Sequence, residues 1–116
     1  MEFTEKKVLF LIKKRPYGTI MNFEAWRAAV GMFGMDHTPT MLFLGDGVYS
    51  LLKEMDSKPI ELFKRTYLSF EGKILASSSA LQEREIKPGQ LISEVEIVGS
   101  DEIGRLLEEN QMVVSF

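Results

Sequence analysis

Five apolar residues without interruption, Val8-Leu9-Phe10-Leu11-Ile12, stand between Lys7 and Lys13. Alternating polarity would mark a strand with one wet face. An unbroken run of this length marks a strand buried on both faces, as in a parallel sheet. Parallel neighbours need long crossovers between them, usually helical. The strand is expected over 7–13 and is ended by Arg15-Pro16-Tyr17-Gly18, where proline and glycine favour a turn.

The rest of the chain supplies those crossovers. Phe23, Trp26, Val30 and Phe33 fall at i, i+3, i+7 and i+10, which predicts a helix over 20–34 with these four on its buried face. Trp26 and Phe33 could be read as a ligand box, but core packing is the simpler reading of such a stripe. Thr40 to Leu44 reads as the second strand, followed by Gly45-Asp46-Gly47 and a short helix over 48–55 with Asp46 as its N-cap. Ser57-Lys58-Pro59 opens another helix, with Ile60, Phe63, Tyr67 and Phe70 facing inward. A third strand over 73–76, a brief helix over 80–85 and a Pro88-Gly89 turn come next. The fourth strand, over 95–98, alternates with Glu94 and Glu96, so it is expected to be more exposed. Ser100 is expected to cap a last helix that turns Ile103, Leu106 and Leu107 inward, and a fifth strand runs over 112–116. Strands alternating with helices predict a single three-layer α/β domain over 1–116. Its sheet has five mainly parallel strands, with helices on both faces.

Composition narrows the function. A chain of 116 residues suits one domain. Fourteen basic against 17 acidic residues leave a net charge of −3, which disfavours a nucleic-acid partner. No apolar run approaches the roughly 18 residues that cross a bilayer, and Met1 to Lys7 lacks the form of a secretory signal. There is no cysteine, which removes disulfides, thiolate metal sites and thiol chemistry together, and which fits a cytoplasmic location. With His37 as the single histidine, no metal site or other cofactor is expected.

In an open parallel sheet, ligands bind beyond the carboxyl ends of the strands. Three loops project there: Lys14 to Thr19, Gly45 to Tyr49 and Ala76 to Ser79. The candidate pocket residues are therefore Arg15, Tyr17, Gly18, Asp46, Gly47, Ala76, Ser77, Ser78 and Ser79. The first loop has neither GxGxxG nor GxxxxGK[ST], so the nucleotide-binding fingerprints are missing. A nucleophilic serine needs a base. His37 precedes the second strand and should lie at the opposite end of the sheet, so no catalytic residue is assigned. Glu83-Arg84-Glu85 reads as a solvated charged patch.

Several segments resemble the DsrE/DsrF/TusC family of small sulfur-relay proteins, nearest to its TusC/DsrF-type members. They are the opening strand with Pro16-Tyr17-Gly18-Thr19, the stretch Gly45-Asp46-Gly47-Val48-Tyr49-Ser50-Leu51-Leu52, the stretch Ser79-Ala80-Leu81-Gln82-Glu83-Arg84-Glu85-Ile86, and the closing Val113-Val114-Ser115-Phe116. The resemblance implies a flavodoxin-like sheet and assembly through subunit contacts. The assembly would be a homo-oligomer, trimer or hexamer, or a hetero-oligomer with cysteine-bearing relatives. It also implies a sulfur-carrying cysteine at the end of the third strand, which maps onto Ala76 or, in some TusC-type members, Ser77. Neither is cysteine here. A persulfide requires a thiolate sulfur, so the family's chemistry is removed from this chain. A cysteine installed at Ala76 is expected to sit at a helix start and to react faster than one at Ser115.

Three readings follow. The first is a non-catalytic or scaffolding subunit of a sulfur-relay complex. The second is a stand-alone domain that binds a small molecule or anion with the strand-end loops. The third, an enzyme using Arg15, Asp46 and Ser77 to Ser79, has the least behind it.

Overall fold

A computed structural model describes residues 6–16, 21–56 and 58–116. The five expected strands are present: β1 Lys7–Ile12, β2 Thr38–Phe43, β3 Lys73–Ser77, β4 Val95–Val98 and β5 Met112–Ser115. They form one sheet in the order β4-β3-β2-β1-β5, and every pair is parallel. Among the described residues the α-helices are α1 Met21–Gly34, α2 Glu61–Ser69, α3 Ser78–Glu83 and α4 Ser100–Glu109. The α/β architecture is the one expected from the sequence. Its strand order differs from the 2-1-3-4-5 of flavodoxin itself.

The period-2 alternation of strand side chains divides the core in two. Val8, Phe10, Ile12, Met41, Phe43, Ile74 and Ala76 point to one face, where Ala25, Trp26 and Ala29 of α1, Tyr67 of α2, and Ala80 and Leu81 of α3 cover them. Leu9, Leu42, Leu75 and Val98 point to the other, against Ile103 and Leu106 of α4. β1 is therefore buried on both sides, as its unbroken apolar run required. β4 is an edge strand and is more exposed than the inner strands, as expected, but its burial does not alternate: Glu96 and Ile97 are both exposed and Val98 is buried.

Several local expectations are corrected. The buried side of α1 is Asn22, Ala25, Trp26 and Ala29. The alanines let the helix approach the sheet, while Phe23 and Phe33 turn sideways to meet α2. Phe23 packs edge-on against Phe63 at 5.3 Å, and Phe33 stacks on Phe70 at 5.0 Å. Phe70 is thereby a lid over Phe33 and remains 58% exposed, and Leu107 of α4 is exposed as well. The helix expected over 48–55 is instead a 3₁₀ helix, Gly45–Leu51. It stops there because the backbone of Leu51 and Lys53 is used by a neighbouring loop. The Ile92 N–H donates to the Leu51 carbonyl at 2.9 Å, and the Lys53 N–H to the Gln90 carbonyl at 2.9 Å. Ser100 is the first residue of α4 rather than its cap. Extended Gly99 occupies the cap position, and its carbonyl accepts the Ile103 N–H.

Tyr67 anchors α2 over the sheet. Its hydroxyl donates to the Lys73 carbonyl at 2.6 Å, and its ring meets Trp26 edge-on at 5.7 Å. Burial pushes the phenol pKa up, well above its ordinary value.

Gly31 offers a different kind of test. It lies inside α1, and a Cβ built there meets nothing within 4 Å. Gly31→Ala should therefore stabilise the protein by about 1 kcal/mol through helix propensity and unfolded-state entropy. Thermal denaturation should show a Tm about 4 °C higher. An unchanged or lower Tm would contradict the open environment assigned to that position.

Candidate functional site

Because all strands are parallel, the loops after β1, β2 and β3 emerge at one edge of the sheet. Lys13 continues β1 there, and its N–H donates to the Phe116 carbonyl at 2.9 Å. The loop after β2 is held close against β1. The Leu44 N–H donates to the Ile12 carbonyl at 2.9 Å, and the Gly47 N–H to the Leu44 carbonyl at 2.8 Å. A Cβ on Gly47 would lie 2.0 Å from the Ile12 carbonyl oxygen, so only glycine fits. The 3₁₀ helix that follows is tied to α1 through buried Asn22. The Asn22 amide donates to Ser50 Oγ, and Ser50 Oγ donates to the Gly47 carbonyl, both at 2.6 Å.

Asp46 does not cap this helix, since Leu44 holds the cap position and no side chain closes it. The Asp46 carboxylate is instead engaged by Arg84. Nε and Nη2 of Arg84 donate to Asp46 Oδ1 at 3.1 and 3.0 Å, and Nη1 donates to the Ala80 carbonyl at 3.0 Å. The guanidinium carbon also sits 5.9 Å from the centre of the Tyr49 ring. Arg84, the residue that ends α3, therefore latches the loop after β2 to that helix. It is not part of a solvated charged run. The sequence did hold a cue to it. Asp46 is the one charged residue in 45–52, and Arg84 is the one cation in 79–86.

At the end of β3, Ala76 is completely buried between Phe43 of β2 and Ile97 of β4. Ser77 is 4% exposed and caps α3: its Oγ accepts the Ala80 N–H at 3.3 Å and shares a hydrogen bond with Ser79 Oγ at 3.1 Å. Ser78 is half-buried and Ser79 exposed. Their hydroxyls have no base beside them, because His37 lies at the amino end of β2 and accepts the Lys6 N–H on Nδ1 at 3.2 Å.

The candidate residues do not converge on one cavity. Arg15 and Asp46 line an open cavity of about 430 Å³ together with Pro16, Tyr49, Leu52 and Met55. Gly47, Ala76, Ser77, Ser78 and Ser79 are not among its walls. Tyr17 and Gly18 lie outside the described residues. Tyr49 ends one of the loops expected at this edge but is not among the candidate residues, and Leu52 and Met55 lie beyond it, where apolar side chains near a turn look like ordinary core. Among the described residues no group of three or more His, Cys, Asp or Glu could hold a metal ion. No helix there is long and apolar enough to cross a membrane.

The burial of Ala76 reverses one expectation. A thiol placed there would be sealed inside the sheet. Ala76→Cys should thus react with a thiol reagent under native conditions at least ~100-fold more slowly than Ser79→Cys, because its access requires the β3 end to open. Labelling followed by intact-mass measurement checks this. Similar rates at the two positions would mean that the end of β3 is not closed as described.

Fold and strand-end loops define a three-layer, all-parallel α/β domain with a latched edge and no thiol in it. The chain belongs to the DsrE/DsrF-like family, which matches it over residues 6–116. It is 29% identical to the intracellular sulfur oxidation protein DsrF of Allochromatium vinosum, the match covering 96% of each chain. It is 28% identical to the TusC protein of Buchnera aphidicola, over 96% of this chain and 99% of that one. Among solved structures, the YchN protein of E. coli superposes with a TM-score of 0.83 at 18% identity, over 96% of this chain and 99% of that one. A protein of unknown function from Methanobacterium thermoautotrophicum gives 0.75 at 15% identity, over 97% of this chain and 100% of that one. At such identities these two establish the fold alone.

Proposed function

We propose that this chain is a non-catalytic, scaffolding subunit of an intracellular sulfur-transfer complex. It would assemble with copies of itself or with cysteine-bearing members of its family. The observation that carries the reading is the end of β3. There Ala76 and Ser77, both buried, stand where the resemblance puts a sulfur-carrying cysteine, and the whole sequence has no cysteine to replace it. A hydroxyl cannot carry sulfane sulfur, so any role in sulfur transfer is exercised through contact with another chain. The name of the DsrF relative, an intracellular sulfur oxidation protein, supports the same pathway class and the same compartment.

Incubation with a persulfide donor tests the chemical half of this reading. The intact mass should stay unchanged, where a cysteine-bearing relative gains the mass of sulfur. Sulfur retained by this chain after removal of the donor would overturn it.

One observation favours a second reading. The cavity walled by Arg15, Asp46, Tyr49, Leu52 and Met55 combines apolar surface with an exposed guanidinium. That suits a small organic anion bound without any partner protein. A thermal shift by such an anion that Arg15→Ala abolishes would support it over scaffolding.

A further inference from the structure

We infer that β5 is a contact edge between two copies of this chain, paired antiparallel across a twofold axis to continue the sheet. This deepens the assembly reading above and rests on it. Among the described residues, the sheet ends at β4 on one side and β5 on the other. An open edge strand presents unpaired backbone donors and acceptors, and proteins that must not pair there protect it with charge or proline. The two edges differ in this respect. Glu94 and Glu96 guard the β4 side, whereas Gln111-Met112-Val113-Val114-Ser115 has neither charge nor proline. Met112 and Val113 are nevertheless 43% and 42% exposed.

The charge pattern selects the occupant. If β4 paired with its own copy, Glu94 and Glu96 would face each other or themselves on one face of the joined sheet, which is destabilising. If β5 paired with β4, the contact would be head-to-tail, which closes only where the rotation between copies completes a ring and otherwise extends without end. β5 paired antiparallel with itself closes after two copies and opposes no charges. Centred on Val113, it sets Val113 against its own counterpart, Met112 against the second copy's Val114, and Gln111 against the second copy's Ser115. A twofold contact of this kind is compatible with a hexamer and not with a bare trimer.

The lack of cysteine makes the test clean. Val113→Cys should form a disulfide-linked dimer under mild oxidation, seen as a doubled mass on a non-reducing gel. Ile97→Cys on the β4 edge should cross-link at least ~10-fold more slowly, since β4 edges do not meet. Val113→Lys and Val113→Glu, at a position already exposed, should keep the native circular dichroism spectrum. Each alone should sediment at half the native mass or less, and mixing the two should restore the native species. Met112→Lys should also dissociate the assembly, and it serves if a Val113 variant fails to fold. Wild-type assembly retained by the lysine variants, or equal cross-linking at Ile97, would overturn the β5 contact and leave the assembly reading standing. A monomeric wild-type chain would overturn the self-pairing, while co-purification with a cysteine-bearing relative still decides the scaffolding role.

Discussion

Gly47→Ala is expected to remove roughly 3–5 kcal/mol of stability, in the range reserved for steric conflicts that cannot relax. The added Cβ would stand 2.0 Å from the Ile12 carbonyl oxygen and 2.8 Å from its carbon. Neither atom can give way. Ile12 is fully buried at the end of β1, and its carbonyl already accepts the Leu44 N–H. The loop after β2 would have to lift, breaking the Gly47–Leu44 turn and the Asn22–Ser50–Gly47 chain of hydrogen bonds. A Tm lowered by ~15 °C, or failure to fold, is the expected result of thermal denaturation. Gly89→Ala is the control. Its Cβ meets nothing within 4 Å, so a change within about 0.5 kcal/mol is expected. Equal effects at the two glycines would refute the close approach of this loop to β1.

The second large effect centres on Tyr67. Gly72→Ala would place a Cβ 2.5 Å from two atoms of the Tyr67 ring. That ring is held by its hydroxyl bond to the Lys73 carbonyl, by Trp26 at 5.7 Å and by Phe33 at 5.6 Å. A cost of about 3 kcal/mol follows from overpacking a side chain with nowhere to move. The same tyrosine makes stability fall at alkaline pH. Its phenol is neutral in both states below the ordinary value of 10.0, and burial raises the folded value above that. As pH climbs past 10.0, the unfolded chain releases this proton and the folded chain keeps it. Stability then drops by up to about 1.4 kcal/mol per pH unit until the folded phenol ionises. Tyr67→Phe should cost ~1–2 kcal/mol at neutral pH by stranding its carbonyl partner. The gap between wild type and variant should narrow above pH 10. Urea unfolding at pH 8 and pH 11 measures both. A gap that is constant with pH would mean that the phenol is solvated.

The strands were legible because unbroken apolar runs leave few alternatives. β1 had to be buried on both faces, and Glu94 and Glu96 marked β4 as more exposed, which its place at the edge of the sheet explains. Helix faces were less legible. The spacing of Phe23, Trp26, Val30 and Phe33 ranks side chains by size, whereas α1 docks through its alanines and sends its phenylalanines to α2. The short helix after β2 was misjudged for a different reason. Its end is decided by Gln90 and Ile92, about 40 residues away in the chain, and local propensity carries no trace of that pairing. At the site, motif resemblance pointed to the end of β3, but the sealing of Ala76 and the Arg84 latch on Asp46 depend on how three loops meet at one edge. Single motifs do not encode that meeting.

Native mass spectrometry of this chain, mixed with a cysteine-bearing DsrE/DsrF-like protein preloaded with persulfide sulfur, addresses the scaffolding role most directly. The account predicts a mixed assembly whose released subunits carry sulfur only on the partner, with this chain at its unmodified mass. Sulfur found on this chain, or two proteins that stay apart at micromolar concentration in every combination of family partners, would contradict it.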